Sequence, residues 1–290
     1  MLLLAIGFAL LAALLFAVAW VAQQRAASAV PDEQARGLRL ILRLVRSPLW
    51  WAGFVGDVGG FLAQAAALAF GSLLLVQPLI VTSLLFALPL GARFAGRVLR
   101  RSDLGWAAVL TVALAAFVVV GDPTEGSPTA PTGHWVPTGA VLVGLLVVCV
   151  VAAGRRRGTA RALLLAVATA IAYGVLAAAT KAVVALLEHG IGPALTGWET
   201  YLLVVAAVGG TLLQQSAFQA GDLAASIPAV TVGEPVVAAI VGVTVLDERI
   251  AAAGPGRLLV GVLVVVMAAA TIALARSSAR ATTDTSAAVS

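Results

Sequence analysis

Residues 222–249 read DLAASIPAVTVGEPVVAAIVGVTVLDER and set the architecture of the chain. Nearly all of them are apolar enough to lie in lipid, but Gly233, Glu234 and Pro235 stand at the centre. Glu234 follows Leu223 by eleven residues, which is about 16 Å along a helix and roughly the midplane of a bilayer. A carboxylate at that depth is costly unless it is paired, protonated or hydrated.

The helix around Glu234 is predicted to be loosened. Pro235 cannot donate the helical hydrogen bond, and Gly233 weakens the turn before it. Pro228, and Pro78 in an earlier apolar segment, are predicted to kink their helices because they also lack the N–H group. An acid at mid-depth in such a helix predicts a functional site. The alternative is a packing kink that holds a permanently protonated, buried glutamate.

The composition is that of a membrane protein. The 290 residues are 61% hydrophobic and 11% charged, whereas about a quarter of the residues in a soluble domain are charged. The mean hydropathy is +1.07. Apolar stretches long enough to span a bilayer recur along the chain, which predicts an all-α polytopic membrane protein. A single cysteine, Cys149, excludes an internal disulfide.

The charged residues do not indicate nucleic acid or an enzyme. The pI is about 10.6, but the arginines lie in short loops between apolar segments, as membrane orientation requires. His134 and His189 lie far apart in loops, so no His/Cys metal cluster is visible. No cofactor-binding or nucleophile–base motif is present, and no cofactor is expected. Whether carboxylates and amides bind a metal, and whether two copies form a homodimer, stays open.

Nine membrane spans are predicted. No basic segment precedes the first, which favours an uncleaved helix over a signal peptide. The chain divides into a first repeat (1–121), a linking segment (122–161), a second repeat (162–275) and a tail (276–290) that is predicted to be disordered. The linking segment begins with an irregular surface loop. The predicted spans are residues 2–22, 49–70, 72–91, 104–121, 138–154, 162–187, 200–220, 223–246 and 257–275.

The basic residues predict the orientation of these spans. Loops on one side, together with the C-terminal tail, hold fifteen of the eighteen Lys and Arg residues. The other side holds only Arg249 and Arg257, and Lys181 lies inside span 6. Because basic loops stay in the cytoplasm, the N-terminus is expected outside and the C-terminus inside, in the plasma membrane. Asp247, Glu248 and Arg249 are then expected to form an ion cluster in an outer loop.

The chain contains an internal repeat. A shift of 150 residues aligns 59–78 with 209–228, with eight of twenty positions identical and no gap. Spans 1–4 then correspond to spans 6–9, and span 5 has no partner. A shift of five crossings inverts the second copy, and inverted repeats are a recurring plan of secondary transporters. The identical pairs are Gly59/Gly209, Gly60/Gly210, Leu62/Leu212, Gln64/Gln214, Ala67/Ala217, Gly71/Gly221, Leu73/Leu223 and Pro78/Pro228.

Two stretches resemble a known superfamily. Residues 227–249, with Pro228, Glu234-Pro235 and Asp247-Glu248-Arg249, resemble the closing helices of the EamA repeat of the drug/metabolite transporter superfamily. That repeat has a Glu-Pro in its fourth helix and an acidic-Arg pair just after it. Residues 49–122, with Trp50-Trp51-Ala52-Gly53 and Gly56-Asp57, resemble the NIPA-type branch of magnesium transporters. The resemblance covers residues 1–275 and implies secondary transport.

Three departures set the chain apart from the NIPA-type pattern. That pattern has Glu where Asp57 stands. The acid that it places after span 3 is absent from residues 92–101. The first repeat has Leu84-Leu85 at the positions that correspond to Glu234-Pro235.

Asp57 and the repeat-related amides are further candidate site residues. Asp57 lies in span 2 among glycines, and Gly56 and Gly60 form a small-residue face that lets another helix approach closely. It is either a proton or cation carboxylate in the pathway or a structural residue bonded to backbone. Gln64 and Gln214 either join helices or line a polar cavity.

Lys181 and Tyr173 complete the candidate set in span 6. Lys181 lies about 9 Å from the outer end of its span. Its ammonium group either reaches the headgroups or serves as counter-ion for Glu234 or for an anionic substrate. Tyr173, two turns deeper, either lines the same cavity or packs in the core.

The sequence therefore predicts a secondary transporter of the drug/metabolite type. Its partners would be membrane lipid and a small metabolite, drug-like solute or ion. Glu234 would bind a proton or cation at the midplane while spans 3 and 8 rock around it. The alternatives are a magnesium or other divalent-cation transporter, a flippase for an amphiphilic or lipid-linked molecule, and a scaffold that transports nothing.

Overall fold

The computed structural model describes residues 1–28, 46–94, 100–127, 130–220 and 223–289. The described part is almost entirely helical. Its helices are α1 (Leu2–Ser28), α2 (Pro48–Phe70), α3 (Leu73–Ile80), α4 (Ser83–Phe94), α5 (Arg101–Gly121), α6 (Thr132–Gly154), α7 (Gly158–Glu188), α8 (Ile191–Thr196), α9 (Trp198–Gln219), α10 (Leu223–Thr244) and α11 (Pro255–Val289).

Nine spans are found within the described ranges, as the sequence predicts, and each is long and apolar enough to cross a membrane. Spans 1, 2, 4 and 5 are α1, α2, α5 and α6, and spans 6 to 9 are α7, α9, α10 and α11. Span 3 consists of α3 and α4 together. The chain is therefore an all-α polytopic membrane protein.

The tail differs from its prediction. Residues 276–290 are predicted to be disordered, but α11 continues without a break to Val289. Only Pro255–Ser277 has the apolar composition of a span. Alanine has the highest helix propensity, and extending an existing helix avoids the cost of nucleation. The polar composition that predicts disorder therefore does not prevent helix formation here.

Span 3 is broken near its middle, where the sequence predicts one continuous helix. A turn at Val81 and Thr82 separates α3 from α4, and the Thr82 hydroxyl donates to the Leu79 carbonyl at 2.6 Å. Pro78 and Pro89 lie on either side of this turn. Because each lacks a backbone N–H, each removes one helical hydrogen bond next to the break.

Span 6 is the central helix of the bundle. It packs most extensively against spans 7 and 8 and also contacts spans 2 and 5. Span 1 occupies a similar place against spans 2 and 3, and spans 4 and 9 pack against each other. The main apolar core includes Leu73 and Leu110 from the first half and Ala178, Val241 and Leu274 from the second. The two halves thus share one core.

Glycines let these helices approach closely. A Cβ on Gly56 would lie 3.1 Å from the Ala19 Cβ, so span 1 is the helix that packs on the small-residue face of span 2. A Cβ on Gly174 would lie 2.6 Å from the Val237 Cβ, and one on Gly233 would lie 2.6 Å from the Ala170 Cβ. Gly174 and Gly233 therefore bring spans 6 and 8 into close contact.

One end of the bundle carries a small β-ribbon. Strands β1 (Pro123–Thr124) and β2 (Arg249–Ile250) pair antiparallel, and the Ser127 N–H donates to the Leu246 carbonyl at 2.7 Å. This end, here called the ribbon end, also contains the start of span 1 and the junction between spans 2 and 3. A Cβ on Gly71, at that junction, would lie 2.8 Å from the Ala5 Cβ.

Candidate functional site

Tyr173 is the centre of a polar cluster inside the bundle. Its hydroxyl donates to the Gln214 Oε1 at 3.1 Å, and the Thr211 hydroxyl lies beside it. Asp57 and Glu234 both lie within electrostatic range of this hydroxyl. These five residues, here called the interior cluster, come from spans 2, 6, 7 and 8 and bring together four of the six predicted site residues.

The ring of Tyr173 has this position because span 7 carries a glycine next to it. A Cβ on Gly210 would lie 2.6 Å from the Tyr173 Cε1 atom. Any larger residue at position 210 would therefore displace the ring. Gln214 follows Gly210 by one helical turn, so the amide lies on the same face of span 7 as the glycine and meets the hydroxyl.

Glu234 contributes the carboxylate of span 8. Its side chain is half-buried, and no described residue forms a hydrogen bond or an ion pair with it. Pro228 and Pro235 lie inside the same helix. Since Pro235 lacks the N–H, the Thr231 carbonyl loses its helical donor one turn before. The Glu234 carboxylate therefore has no fixed partner among the described residues, and its own helix lacks backbone hydrogen bonds. Such a carboxylate is available to bind a proton or a cation.

Gln64 lies apart from the Tyr173 contacts. Its side chain is 7% exposed and lies in span 2, about two turns beyond Asp57. Its repeat-related partner Gln214 bonds to Tyr173, whereas the equivalent aromatic contact in the first half is to Phe16, which has no hydroxyl. A Cβ on Gly60 would lie 2.7 Å from the Phe16 ring.

The structure places Lys181 in a contact that the sequence did not predict. The side chain is only 3% exposed, so its ammonium group does not reach the headgroups. It pairs with Glu248 rather than with Glu234, at 2.8 Å between Nζ and Oε1. Tyr173 lies two turns deeper on the same helix, about 12 Å along the axis. Lys181 therefore belongs to a separate site, closer to the ribbon end.

Glu248 is also placed differently from its prediction. Its carboxylate accepts hydrogen bonds from the Leu73 N–H at 2.8 Å and from the Leu74 N–H at 3.0 Å. It therefore caps the first turn of α3, where backbone N–H groups lack helical acceptors. The Lys181 ammonium donates a further bond to the Gly71 carbonyl at 3.0 Å. We call Lys181 and Glu248 the ribbon-end ion pair.

Local geometry turns Glu248 inward. Asp247 has a φ of 57°, a left-handed conformation that reverses the chain after span 8, and the Glu248 N–H donates to the Gly242 carbonyl at 2.9 Å. A Cβ on Gly242 would lie 2.7 Å from Glu248 Oε2, so the glycine leaves room for the carboxylate. Only Asp247 and Arg249 form the exposed pair that the outer loop was expected to hold, at 3.9 Å.

Two polar residues of the site were missed from the sequence. Thr211 contributes its hydroxyl to the interior cluster, and Gln77 is 1% exposed with an Nε2 that has no hydrogen-bond partner among the described residues. A signal for the ion pair was present, because a buried lysine needs an anion at the same depth. Counting the membrane crossings along the sequence places Lys181 and Glu248 near the same end of the bundle.

The described residues contain no group of three His, Cys, Asp or Glu side chains that could hold a metal ion.

The fold and the interior cluster together define a polytopic α-helical membrane protein with polar groups at mid-depth. It belongs to the same family as an uncharacterized protein of Corynebacterium glutamicum. The two are 39% identical over 277 residues, which cover 95% of this chain and 96% of the relative. No family model matches the sequence, and no solved structure matches it.

Proposed function

We propose that the protein is a secondary transporter of the drug/metabolite type in the plasma membrane. The observation that carries this proposal is the interior cluster, in which Tyr173 lies within electrostatic range of two carboxylates from different halves of the chain. Polar and ionisable groups at mid-depth in membrane helices are costly and typically mark a substrate or ion path. The resemblance of residues 227–249 to the EamA repeat agrees with this assignment.

An inverted repeat of spans 1–4 and 6–9 is part of the proposal. Two aromatic–glycine contacts support it: Phe16 of span 1 packs on Gly60, and Tyr173 of span 6 packs on Gly210. Gly60 and Gly210 are equivalent in the sequence repeat. Span 1 also packs on span 2 as span 6 packs on span 7. In such proteins the site lies at the midplane where the halves meet.

Glu234 is proposed as the coupling carboxylate. Lys181 is the only lysine in the sequence, and Glu248 neutralises it, so it does not serve as counter-ion for Glu234. The free carboxylate would bind a proton or a cation and release it when the substrate binds. Tyr173, Thr211 and Gln214 would offer hydrogen-bond donors and acceptors to the solute.

Transport in proteoliposomes tests the proposal. The purified protein is reconstituted, a pH gradient is imposed, and uptake of a panel of metabolites and drug-like solutes is measured. We expect at least one solute to move with the gradient, and Glu234→Gln to abolish that movement while the protein still folds. Uptake that is unchanged in Glu234→Gln would contradict the coupling role. Glu188→Gln, at the exposed C-terminal end of α7, is the matched control.

The same assay separates the alternative functions. A Mg²⁺-sensitive dye inside the vesicles reports movement of divalent cations, and a fluorescent lipid reports movement between leaflets. Magnesium flux or lipid movement that requires Glu234, without solute uptake, would replace the metabolite assignment. Failure of all three readouts in folded protein would leave a scaffold that transports nothing.

A further inference from the structure

We infer that the ribbon-end ion pair closes the path between the interior cluster and the ribbon end, and that it must separate for that path to open. The inference rests on the proposed transport function, because it assumes that the interior cluster is reached from outside the bundle. Lys181 and Glu248 would then be positioning residues that touch neither solute nor coupling ion.

The pair joins three parts of the chain. Glu248 Oε1 accepts from both the Leu73 N–H and the Lys181 ammonium, each at 2.8 Å. Glu248 Oε2 accepts from the Leu74 N–H at 3.0 Å, and Lys181 also donates to the Gly71 carbonyl at 3.0 Å. Gly71, Leu73 and Leu74 belong to the first half, and the charged residues belong to the second. Three of these four bonds, those to Leu73, Leu74 and Gly71, therefore tie one half to the other.

The charge of the contact favours a closure over a purely structural tie. Removing two ions from water costs free energy that their attraction only partly repays, so apolar residues of similar size would hold the helices together at least as well. An ion pair differs in what happens on separation, because water can solvate both charges again. The ion pair is strong while water is excluded. Once water enters, hydration of the two charges can replace their contact.

The position of the pair also supports a closure. Lys181 lies about 12 Å from Tyr173 along span 6, towards the ribbon end. Gln77 lies one turn beyond Leu73 on α3, so it follows the ion pair into the bundle on the same helix face. Within the part of the chain that the structure describes, its buried Nε2 has no hydrogen-bond partner. A buried amide without a partner is costly in a closed core, but it would be satisfied by water or solute in an open path.

Cysteine accessibility tests the closure without any need for a known solute. The native Cys149 is replaced by Ala, Gln77→Cys serves as reporter, and a charged, membrane-impermeant thiol reagent is added to either face of the membrane in separate experiments. We expect slow reaction in this reporter protein. Lys181→Met and Glu248→Gln should each accelerate it about tenfold or more, from one face only. Unchanged rates in both variants would overturn the inference.

Asp247→Asn is the matched control, because Asp247 precedes Glu248 but is exposed and pairs weakly with Arg249. We expect it to leave the reporter rate unchanged. Acceleration of the same size in Asp247→Asn would overturn the inference, since it would show that general loosening of the loop is sufficient. Size-exclusion chromatography of each variant in detergent verifies that the protein is folded.

A covalent substitute for the ion pair gives an independent test. A Cβ on Gly242 would lie 3.5 Å from the Leu73 Cβ, which is within the range of about 3.5–4.5 Å found in disulfides. Leu73→Cys and Gly242→Cys are introduced together in the Glu248→Ala background, where the carboxylate no longer occupies that space. When the two cysteines are oxidised to a disulfide, the reporter at position 77 should be protected from the reagent. When the disulfide is reduced, the reporter should react. Peptide mass spectrometry identifies the labelled cysteine. A reporter that reacts equally in both redox states would contradict the closure.

These outcomes are separable from the failure of the proposed function. If the reporter opens in the ion-pair variants but no solute, cation or lipid moves in vesicles, the closure stands and the transport assignment falls. If Glu234-dependent transport is measured but the reporter rates do not change, the transporter stands and the closure falls.

Discussion

The buried lysine shows how one residue depends on its partners. The side chains of Lys181 and Glu248 are 3% and 0% exposed, and the charge of each would be left uncompensated if the other were removed. The backbone N–H groups of Leu73 and Leu74 only partly replace the lysine. The energetic role of the pair is therefore tested by comparing single and double replacements.

We expect Lys181→Met to lower the free energy of unfolding by about 3–5 kcal/mol, because it leaves a buried, unpaired carboxylate. The double variant Lys181→Met/Glu248→Met should lose less than the single variant, because no charge stays buried. Thermal unfolding in detergent, followed by circular dichroism, provides the comparison. Equal losses in the two variants would show that the carboxylate is not buried in the folded protein.

The sequence predicts the environment of a residue where its depth in the membrane is sufficient to determine it. Glu234 and Tyr173 were found because each lies at mid-depth in an apolar span, and the structure brings both into the interior cluster. The role of Glu248 was not predictable in the same way. Its inward direction depends on the left-handed conformation of Asp247 and on the space at Gly242, and neither is visible in the order of the residues.

At the scale of helices, close approach depends on single glycines. Gly210 of span 7 lies under the Tyr173 ring, whereas the adjacent Gly209 has no atom within 4 Å of where a Cβ would be. The two positions share the same backbone conformation and differ only in what faces them. They are therefore a matched pair for measuring the contact between spans 6 and 7.

We expect Gly210→Ala to destabilise the protein by about 1–3 kcal/mol, because the new methyl group displaces the Tyr173 ring. Gly209→Ala should be neutral or stabilising by up to about 1 kcal/mol, because alanine restricts the unfolded chain more than glycine does. The melting temperatures of Gly210→Ala, Gly209→Ala and the parent protein measure both changes in stability. A loss in Gly209→Ala as large as in Gly210→Ala would contradict the contact.

The spans themselves were predicted well, because length and hydropathy identify a membrane helix directly. The break in span 3 was not. Residues 72–91 carry no charged side chain, and Pro78 is predicted to kink the helix rather than to lie beside a turn. Proline is tolerated inside membrane helices when neighbours supply alternative bonds, so its presence does not determine whether a helix bends or ends.

At the scale of the whole molecule, the arrangement of the spans could not be predicted beyond the repeat. A soluble helix shows which face it buries by its polar side, but a membrane helix is apolar all round. The central position of span 6 and the pairing of spans 4 and 9 emerge only from the structure. The sequence repeat predicts a correspondence of the two halves, and it does not predict the contacts between them.

The orientation of the molecule is open to a direct test. The sequence predicts that fifteen of the eighteen basic residues lie on one side of the membrane, so we expect the C-terminus in the cytoplasm and the ribbon end outside. A green fluorescent protein fused after Ser290 should fluoresce, and an alkaline phosphatase fused there should be inactive. An active phosphatase would reverse the assignment of the two faces.

The central claim is that the interior cluster is reached from both faces of the membrane in turn. Gln214→Cys, in the Cys149→Ala background, places a thiol beside Tyr173. We predict that an impermeant thiol reagent labels it when added to either face in separate experiments, while Cys149 of the parent, which is 5% exposed, stays unlabelled. A Gln214→Cys protein that is folded and reacts from neither face would show that the cluster is a dry contact and would contradict the account.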